Sequence, residues 1–310
     1  MDWVSIIPPL VAIFVVFWKK EVILALLLAV LCAEALILLT STPEISFLAP
    51  INAIERVVST ASSPGNTRVI LFSVLAAGML PAADTDFHLY LLIGQSNMAG
   101  RGKVELQDKV AVPRVLMLNK ANEWVSAVDP ISFDKSIAGV SLGRTFGIEM
   151  AKANEKVKIG LIPCAVGGTP IRRWQQQGGL YQAALKRAKL AQKDGVIRGI
   201  LWHQGESDSG KAETANIYEQ QLHTMVAAWR EDLGVPDVPV VVGELGQFWK
   251  RAKHKSVVDA TLKALPNKVK YSGWVTSVGL DHKGDGVHFN AASYRELGKR
   301  YAVKMQALLK

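Results

Sequence analysis

The sequence predicts an α/β protein whose parallel sheet is covered by helices on both faces, and two observations support this prediction. Nearly continuous apolar runs of strand length recur from residue 87 onward, and amphipathic stretches of helical length lie between most of them. Strands that are apolar throughout are typical of parallel sheets buried on both sides. Because such sheets carry functional residues beyond the carboxyl ends of their strands, we look for a site there.

The predicted elements alternate along the second part of the chain. Strands are predicted at 88–94, 115–118, 157–165, 197–202, 239–245 and 273–278. Helices are predicted at 141–153, 179–195, 212–234 and 290–310. The last helix has one apolar face, since large apolar side chains recur at steps of three and four residues: Tyr294, Leu297, Tyr301 and Met305.

Composition divides the 310-residue chain into residues 1–83 and residues 84–310. The first part holds two strongly apolar runs, 4–18 and 22–40, joined by a pair of lysines. At a rise of about 1.5 Å per residue, the second run nearly spans a hydrocarbon core of about 30 Å. We therefore expect hydrophobic, membrane-type helices here, with the connection on the cytoplasmic side, followed by a polar linker.

The stretch 68–83 is similar to the core of a signal peptide. It has one basic residue, Arg68, then about a dozen apolar residues and a small-residue end. We expect a membrane-anchored protein whose second domain is extracytoplasmic, or a secreted one if cleavage occurs near residue 83. If the stretch instead spans the membrane, the second domain is cytoplasmic.

The start of the chain also resembles the N-terminus of a bacterial Na+/H+ antiporter. The similarity covers about seventy residues and rests on the motifs "PPL" and "KKEVILALL". A whole antiporter needs many more spans, so ion transport is not predicted.

Charge and cysteine content exclude other classes of function. The whole chain has a net charge of +9, and its positive excess lies in the second part, but that part has no basic helix and no run of five like charges. Nucleic-acid binding is therefore not predicted. The two cysteines, Cys32 and Cys164, have no metal-ligand spacing, and we predict neither a metal site nor another cofactor.

Four motifs with reactive or polar side chains follow predicted strands or precede the last helix. They are "GQSNM" at 94–98, "GGT" at 167–169, "WHQGESD" at 202–208 and "DHKGDGVHFN" at 281–290. Four such motifs converging on one edge of a parallel sheet are what an active site requires.

The motifs contain the parts of a nucleophilic serine site. Ser96 is the predicted nucleophile, His288 the base that takes its proton, and Asp285 the acid that orients the imidazole. The oxyanion of an ester intermediate needs fixed donors, and the backbone N–H groups of Ser96 and Gly168 and the side-chain amide of Gln204 are candidates. The remaining polar residues are expected to bind substrate or order the loops: Gln95, Asn97 and Glu206.

Each residue also has a simpler interpretation. Ser96 alone is more often a helix N-cap, and His203 is more often a buried hydrogen-bonding residue. Asp281 and His282 form a competing acid–base pair, although their adjacency makes mutual orientation awkward.

Two further interpretations concern sugars. Glu206 and Asp208 could form a carboxylate pair for glycoside cleavage, although their positions favour loop ordering. Trp174 and Trp202 could stack on a sugar ring or fill the core.

Together the four ordered motifs resemble the SGNH (GDSL-like) hydrolase superfamily, and within it the sialate O-acetylesterase and acetylxylan esterase branch, carbohydrate esterase family six. The resemblance covers nearly all of residues 87–310. It implies a three-layer α/β/α fold and metal-independent removal of acetyl groups from an acetylated carbohydrate. The family's catalytic residues fall on Ser96, His288 and Asp285, and its oxyanion donors on Ser96, Gly168 and Gln204. The alternative function is a non-catalytic carbohydrate-binding module on the same fold.

Overall fold

The computed structural model describes residues 83–310, which contain one seven-stranded sheet. In chain order the strands are β1 (Asp84–Gly94), β2 (Val115–Leu118), β3 (Trp124–Ser126), β4 (Lys158–Pro163), β5 (Gly195–His203), β6 (Val240–Gly243) and β7 (Ser272–Val275). Their order in the sheet is β3-β2-β4-β1-β5-β6-β7. All neighbouring strands run parallel except β2 and β3, which pair antiparallel at one edge.

Helices cover both faces of this sheet. They are α1 (Ser96–Ala99), α2 (Leu142–Ala153), α3 (Gly179–Ala191), α4 (Ala212–Asn216), α5 (Tyr218–Leu233), α6 (Lys255–Lys268) and α7 (Ala291–Leu308), with short 3-10 helices at Leu106–Lys109 and Ile171–Trp174. Residues of α2 and α7 share a core with Tyr90 and Leu92 of β1. Residues of α3, α5 and α6 share a second core with Leu91 and Ile93. Strand β1 is apolar on both faces because both are buried, as the sequence pattern indicated.

The described residues confirm the predicted α/β class and correct some of its elements. The sheet is mostly, not wholly, parallel, because the three-residue strand β3 turns back on β2. The helix predicted at 212–234 is two helices that meet at Ile217. Helix α6 was not predicted, and it contains Pro266, a residue type that usually ends or kinks a helix.

The membrane-type helices and the signal-like stretch are predicted in the first part of the chain, before the sheet domain. Within residues 83–310, none of the helices combines the length and the apolarity needed to cross a membrane. The membrane-type runs at 4–18 and 22–40 lie outside the described residues, and the signal-like stretch 68–83 lies almost entirely outside them.

Candidate active site

The turn that presents Ser96 is formed where β1 and β5 end side by side. Gly94 has φ +137°, and a Cβ atom built there would lie 2.2 Å from the carbonyl oxygen of His203. Only glycine fits this close approach of two strands. The next residue, Gln95, donates its N–H to the same carbonyl at 3.1 Å. Ser96 then begins helix α1 at the carboxyl edge of the sheet.

Ser96, His288 and Asp285 form one continuous hydrogen-bonded chain. The Nε2 atom of His288 lies 3.0 Å from Ser96 Oγ, and its Nδ1 atom lies 2.7 Å from Asp285 Oδ2. The second carboxylate oxygen of Asp285 accepts the backbone N–H groups of Val287 at 2.9 Å and His288 at 2.8 Å. The structure therefore brings together the three residues that the sequence assigned to nucleophile, base and acid.

The electrostatics of Asp285 fix the roles of the two imidazole nitrogens. Burial by itself would raise the pKa of Asp285, but hydrogen bonds from the backbone and imidazole of His288 and from the backbone of Val287 lower it to about 2. The carboxylate is therefore ionised at neutral pH and accepts a hydrogen bond from Nδ1–H. Nε2 is left as the acceptor for the Ser96 hydroxyl, which is the arrangement that removes a proton from a serine.

Two backbone N–H groups beside Ser96 are suited to hold an oxyanion. Neither the N–H of Ser96 nor that of Gly168 donates a hydrogen bond to any of the described residues. Both residues line the same cleft as His288. Gly168 has φ +78°, in the left-handed region that favours glycine. The pair can serve as fixed donors to negative charge that develops next to Ser96 Oγ.

Gln204 is in a different environment from the one predicted for an oxyanion donor. Its side chain is fully buried, and its amide nitrogen lies 2.6 Å from Asp208 Oδ2 and 3.0 Å from the carbonyl oxygen of Thr169. It also lies 3.2 Å from Gln95 Oε1. The structure does not bring this amide to the cleft, because nearby acceptors in the loops after β1, β4 and β5 engage it. Its observed contacts hold these loops together.

Asn97 joins the serine turn to the histidine loop. Its Nδ2 atom donates to the carbonyl of Val287 at 3.1 Å, and its Oδ1 atom lies 3.4 Å from the backbone nitrogen of Phe289. These two residues flank His288. Glu206 accepts from Asn97 Nδ2 at 2.6 Å, and Tyr294 donates its hydroxyl to Oδ1 at 2.7 Å, so the amide can be oriented in only one way.

The other two residues expected to bind substrate or order loops do contact the loops. Gln95 Oε1 accepts from the backbone nitrogen of Ser207 at 3.3 Å as well as from Gln204. Glu206 is buried, and burial raises its pKa, although the hydrogen bond from Asn97 opposes this shift. Gln95 and Glu206 also line the cleft, so contact with substrate is open to both.

The competing histidines do not contact Ser96. His203 is fully buried, its Nδ1 lies 3.0 Å from the hydroxyl of Tyr301, and burial lowers its pKa to about 3, so it is neutral. His282 Nε2 lies 4.0 Å from Asp281 Oδ1, and its Nδ1 accepts the backbone N–H groups of Gly284 and Gly286. This second pair shapes the loop around His288.

The residues considered for sugar stacking and for glycoside cleavage have other contacts in the structure. Trp174 and Trp202 are fully buried and pack edge to face, with ring centroids 5.8 Å apart, so both fill the core. Asp208 accepts hydrogen bonds from Gln204 and from the backbone nitrogen of Ile171, and Glu206 accepts one from Asn97. The hydrogen bonds of both carboxylates are therefore those of residues that order loops.

Several cleft residues were not found from the sequence. The cleft has a volume of about 350 Å³, and its lining includes Arg101, Lys135, Ile137 and Trp249. Trp249 follows the end of β6, so the rule that functional groups follow parallel strands could have found it. Lys135 and Ile137 lie in the long segment before α2, which has no strand-end pattern.

The α/β fold, with a serine, a histidine and an aspartate hydrogen-bonded at its carboxyl edge, matches the arrangement of serine hydrolases. The family model described as "Carbohydrate esterase, sialic acid-specific acetylesterase" matches residues 86–307. The chain belongs to this family and is a carboxylic ester hydrolase of the carbohydrate esterase type.

The chain is similar in sequence or in fold to several known proteins. The chain is 30% identical over 231 residues to a probable carbohydrate esterase of Arabidopsis thaliana, a match that covers 68% of this chain and 86% of that protein. A solved Arabidopsis thaliana structure covers 72% of this chain and 99% of its own, with 26% identity and a TM-score of 0.66. A carbohydrate acetylesterase from Xanthomonas citri shares the fold, with 18% identity and a TM-score of 0.58, over 71% of this chain and 56% of its own.

Proposed function

We propose that this chain removes O-acetyl groups from a carbohydrate through an acyl-enzyme intermediate on Ser96, with His288 as the base and Asp285 as the orienting acid. The observation that carries this proposal is the chain of hydrogen bonds from Asp285 through His288 to Ser96, with separations of 2.7 and 3.0 Å. The family assignment supplies the acetyl ester of a carbohydrate as the substrate class.

Acylation uses these groups as follows. Ser96 Oγ forms a bond to the acetyl carbonyl carbon as its proton passes to His288 Nε2, and Asp285 stabilises the resulting imidazolium. The carbonyl oxygen becomes an oxyanion beside the N–H groups of Ser96 and Gly168. The bond to the sugar oxygen then breaks, and Nε2 returns its proton to that oxygen. The sugar leaves as an alcohol, and the acetyl group remains on Ser96.

Deacylation repeats the same steps with water. His288 Nε2 removes a proton from a water molecule, whose oxygen attacks the acetyl carbon of the acyl-enzyme. As the bond between the acetyl carbon and Ser96 Oγ breaks, Nε2 returns its proton to Oγ and restores the serine hydroxyl. The acetic acid leaves the site and loses its own proton to solvent to become acetate.

For the substrate, we propose an acetylated glycan such as acetylxylan, or an O-acetylated sialic acid. The cleft is open to solvent, and Trp249 is half-buried in its wall. The indole Nε1 of Trp249 lies 3.4 Å from Ser209 Oγ, which restrains the ring. An aromatic ring in this position can pack against a sugar ring while the ester reaches Ser96.

The test is acetate release by the full chain from acetylated xylan and from O-acetylated sialic acid. Ser96→Ala should abolish release, whereas Ser256→Ala, at an exposed serine of α6, should leave it unchanged. If the folded chain binds acetylated sugar without releasing acetate, the second candidate, a carbohydrate-binding module, replaces the esterase. The hydrogen bonds that link Asp285, His288 and Ser96 favour the esterase, because sugar binding alone requires no oriented base.

We also propose that residues 1–83 attach the esterase domain to a membrane, with that domain extracytoplasmic, or that cleavage near residue 83 releases it. The support is the apolar sequence of these residues. Fractionation of expressing cells, followed by protease treatment of intact cells, tests this. Esterase activity in the cytosolic fraction alone would contradict both forms of the proposal.

A further inference from the structure

Asp134 is a buried carboxylate in the segment between β3 and α2, far from the four motifs in sequence. Its Oδ2 atom accepts the backbone N–H of Gly167 at 2.9 Å and lies 2.6 Å from Nη2 of Arg101. Its Oδ1 atom lies 3.2 Å from Nη1 of the same guanidinium. Both side chains of this ion pair are only 1% exposed. One carboxylate therefore joins a cleft-lining arginine to the loop after β4.

The ion pair is also connected to the helix that carries the nucleophile. Nη1 of Arg101 donates to the carbonyl oxygen of Gly100 at 2.7 Å, and the backbone nitrogen of Gly100 donates to the carbonyl of Ser96 at 2.8 Å. Consequently Ser96, Arg101, Asp134 and Gly167 lie on one uninterrupted path of covalent and hydrogen bonds. The path runs from the proposed nucleophile to the loop after β4.

Gly167 lies close to both Arg101 and Ser96. A Cβ atom built on it would lie 2.5 Å from Arg101 Nη2 and 3.3 Å from Ser96 Cβ. By contrast, a Cβ atom on Gly168 would meet no described atom within 4 Å. The N–H of Gly168 belongs to the peptide that follows Gly167, so its direction depends on how Gly167 is held.

We propose that Asp134 is a positioning residue that aims the Gly168 N–H at the oxyanion by fixing Gly167 against Arg101. This inference rests on the proposed function, because it assigns the Gly168 N–H to the same acetyl ester intermediate. The other explanation is that the ion pair only stabilises the fold. The two explanations differ in what they predict for transition-state binding in protein that remains folded.

The test uses a matched carboxylate elsewhere in the fold as control. Asp108 also has a 1% exposed side chain, accepts one backbone N–H at 2.9 Å and pairs with one arginine, Arg295, at 2.7 Å. It does not line the cleft. We compare Asp134→Ala, Asp134→Asn and Asp108→Ala in the full chain, measuring kcat and KM for p-nitrophenyl acetate. We also measure the inhibition constant of a boronic acid, which forms a tetrahedral adduct with the catalytic serine.

Removing an oxyanion donor outright costs about 10²- to 10³-fold in kcat, and misdirecting one should cost less. We expect Asp134→Ala to lower kcat by roughly 10- to 100-fold, with KM little changed. The inhibition constant of the boronic acid should rise by a similar factor. Asp134→Asn retains an acceptor for the Gly167 N–H and should recover part of the loss. Asp108→Ala should lower the unfolding temperature without weakening the inhibitor. The inhibition constant is informative because it does not depend on the fraction of active protein.

Asp134→Ala leaves the buried Arg101 without its counter-charge, which can prevent folding. A further variant is therefore needed. The double variant Arg101→Met with Asp134→Leu removes the unpaired charge, a change that often restores stability. If its stability recovers and its inhibitor affinity stays weak, the positioning role is supported. An unchanged inhibition constant in the folded Asp134 variants would overturn this inference alone. Absence of ester hydrolysis by the unmodified chain would overturn the proposed function and this inference together.

Discussion

The loop before α7 contains two aspartate–histidine pairs of the same composition but different geometry. In Asp281 and His282 the residues are adjacent, and the nearest carboxylate and ring atoms are 4.0 Å apart. Asp285 and His288 are three positions apart in the sequence, and the corresponding distance is 2.7 Å. Only the second histidine reaches Ser96. The comparison shows that spacing, and not residue type, decides which pair can serve as base and acid.

The spacing of three matters because it lets one carboxylate hold both the backbone and the ring of its histidine. Asp285 Oδ1 accepts the N–H of His288, while Oδ2 faces the imidazole. Asp281 is instead largely exposed and binds the N–H of His282 alone. The Nδ1 atom of His282 accepts hydrogen bonds from two glycine N–H groups and so supports the turn.

The largest expected difference is between the two histidines. His288→Ala removes the proposed base, and we expect kcat for acetyl ester hydrolysis to fall by at least about 10⁴-fold. His282→Ala removes two turn hydrogen bonds and a packing contact with Phe248, and it should change kcat by less than about tenfold. Steady-state kinetics on the two variants measures this. Equal losses would show that the two pairs are not functionally distinct.

Substituting the two aspartates should also lower kcat unequally, with the larger loss at Asp285, but the difference should be smaller than between the two histidines. Asp285→Asn keeps the shape of the side chain but no longer stabilises the imidazolium, and kcat should fall by about 10³- to 10⁴-fold. The kcat of Asp281→Asn should stay close to that of the unmodified chain. The same kinetic assay applies, and a stronger effect at Asp281 would exchange the two assignments.

Asn97 offers a way to disturb His288 without altering the pair itself. Asn97→Asp removes the donor to the carbonyl of Val287 and brings a carboxylate next to Glu206. We expect kcat to fall by roughly 10- to 100-fold with little change in KM, since small displacements of a catalytic group are costly. Tyr294→Phe removes one hydrogen bond from the same amide and serves as the milder control. A rise in KM alone would make Asn97 a substrate-binding residue.

The smallest effect concerns stability at low pH. The pKa of Asp285 is about 2 in the folded chain and 3.8 in its unperturbed form, so the ionised carboxylate stabilises the fold above about pH 4. That contribution is lost as the pH falls from about 4 to about 2. The difference in unfolding temperature between the unmodified chain and Asp285→Asn should therefore shrink over this range. A difference that stays constant from pH 6 to pH 2 would contradict the lowered pKa.

Much of the sheet and the triad could be predicted from the sequence because both leave local patterns. Apolar runs mark the buried strands, and Ser96 and the pair Asp285 and His288 stand beside glycines at predicted element ends. Strand β3 was not predicted because it has only three residues, two half-buried and one exposed, which leave no alternation to detect.

Contacts between distant segments could not be predicted in this way. Gln204 carries the right chemical group for an oxyanion donor, but Asp208, Thr169 and Gln95 engage its amide nitrogen. Asp134 has no motif around it, and its contacts with Gly167 and Arg101 each span 33 residues. Which neighbour satisfies a polar group is decided by tertiary packing, which a local pattern does not contain.

Covalent labelling of the full chain with a fluorophosphonate, followed by mass spectrometry of its peptides, tests most directly whether Ser96 is the nucleophile and His288 its base. This reagent reacts with a serine whose proton is removed by a neighbouring base. The proposed mechanism predicts one adduct per chain, on Ser96, retained in His282→Ala and lost in His288→Ala. Labelling of another residue, or full labelling of Ser96 in His288→Ala, would contradict it.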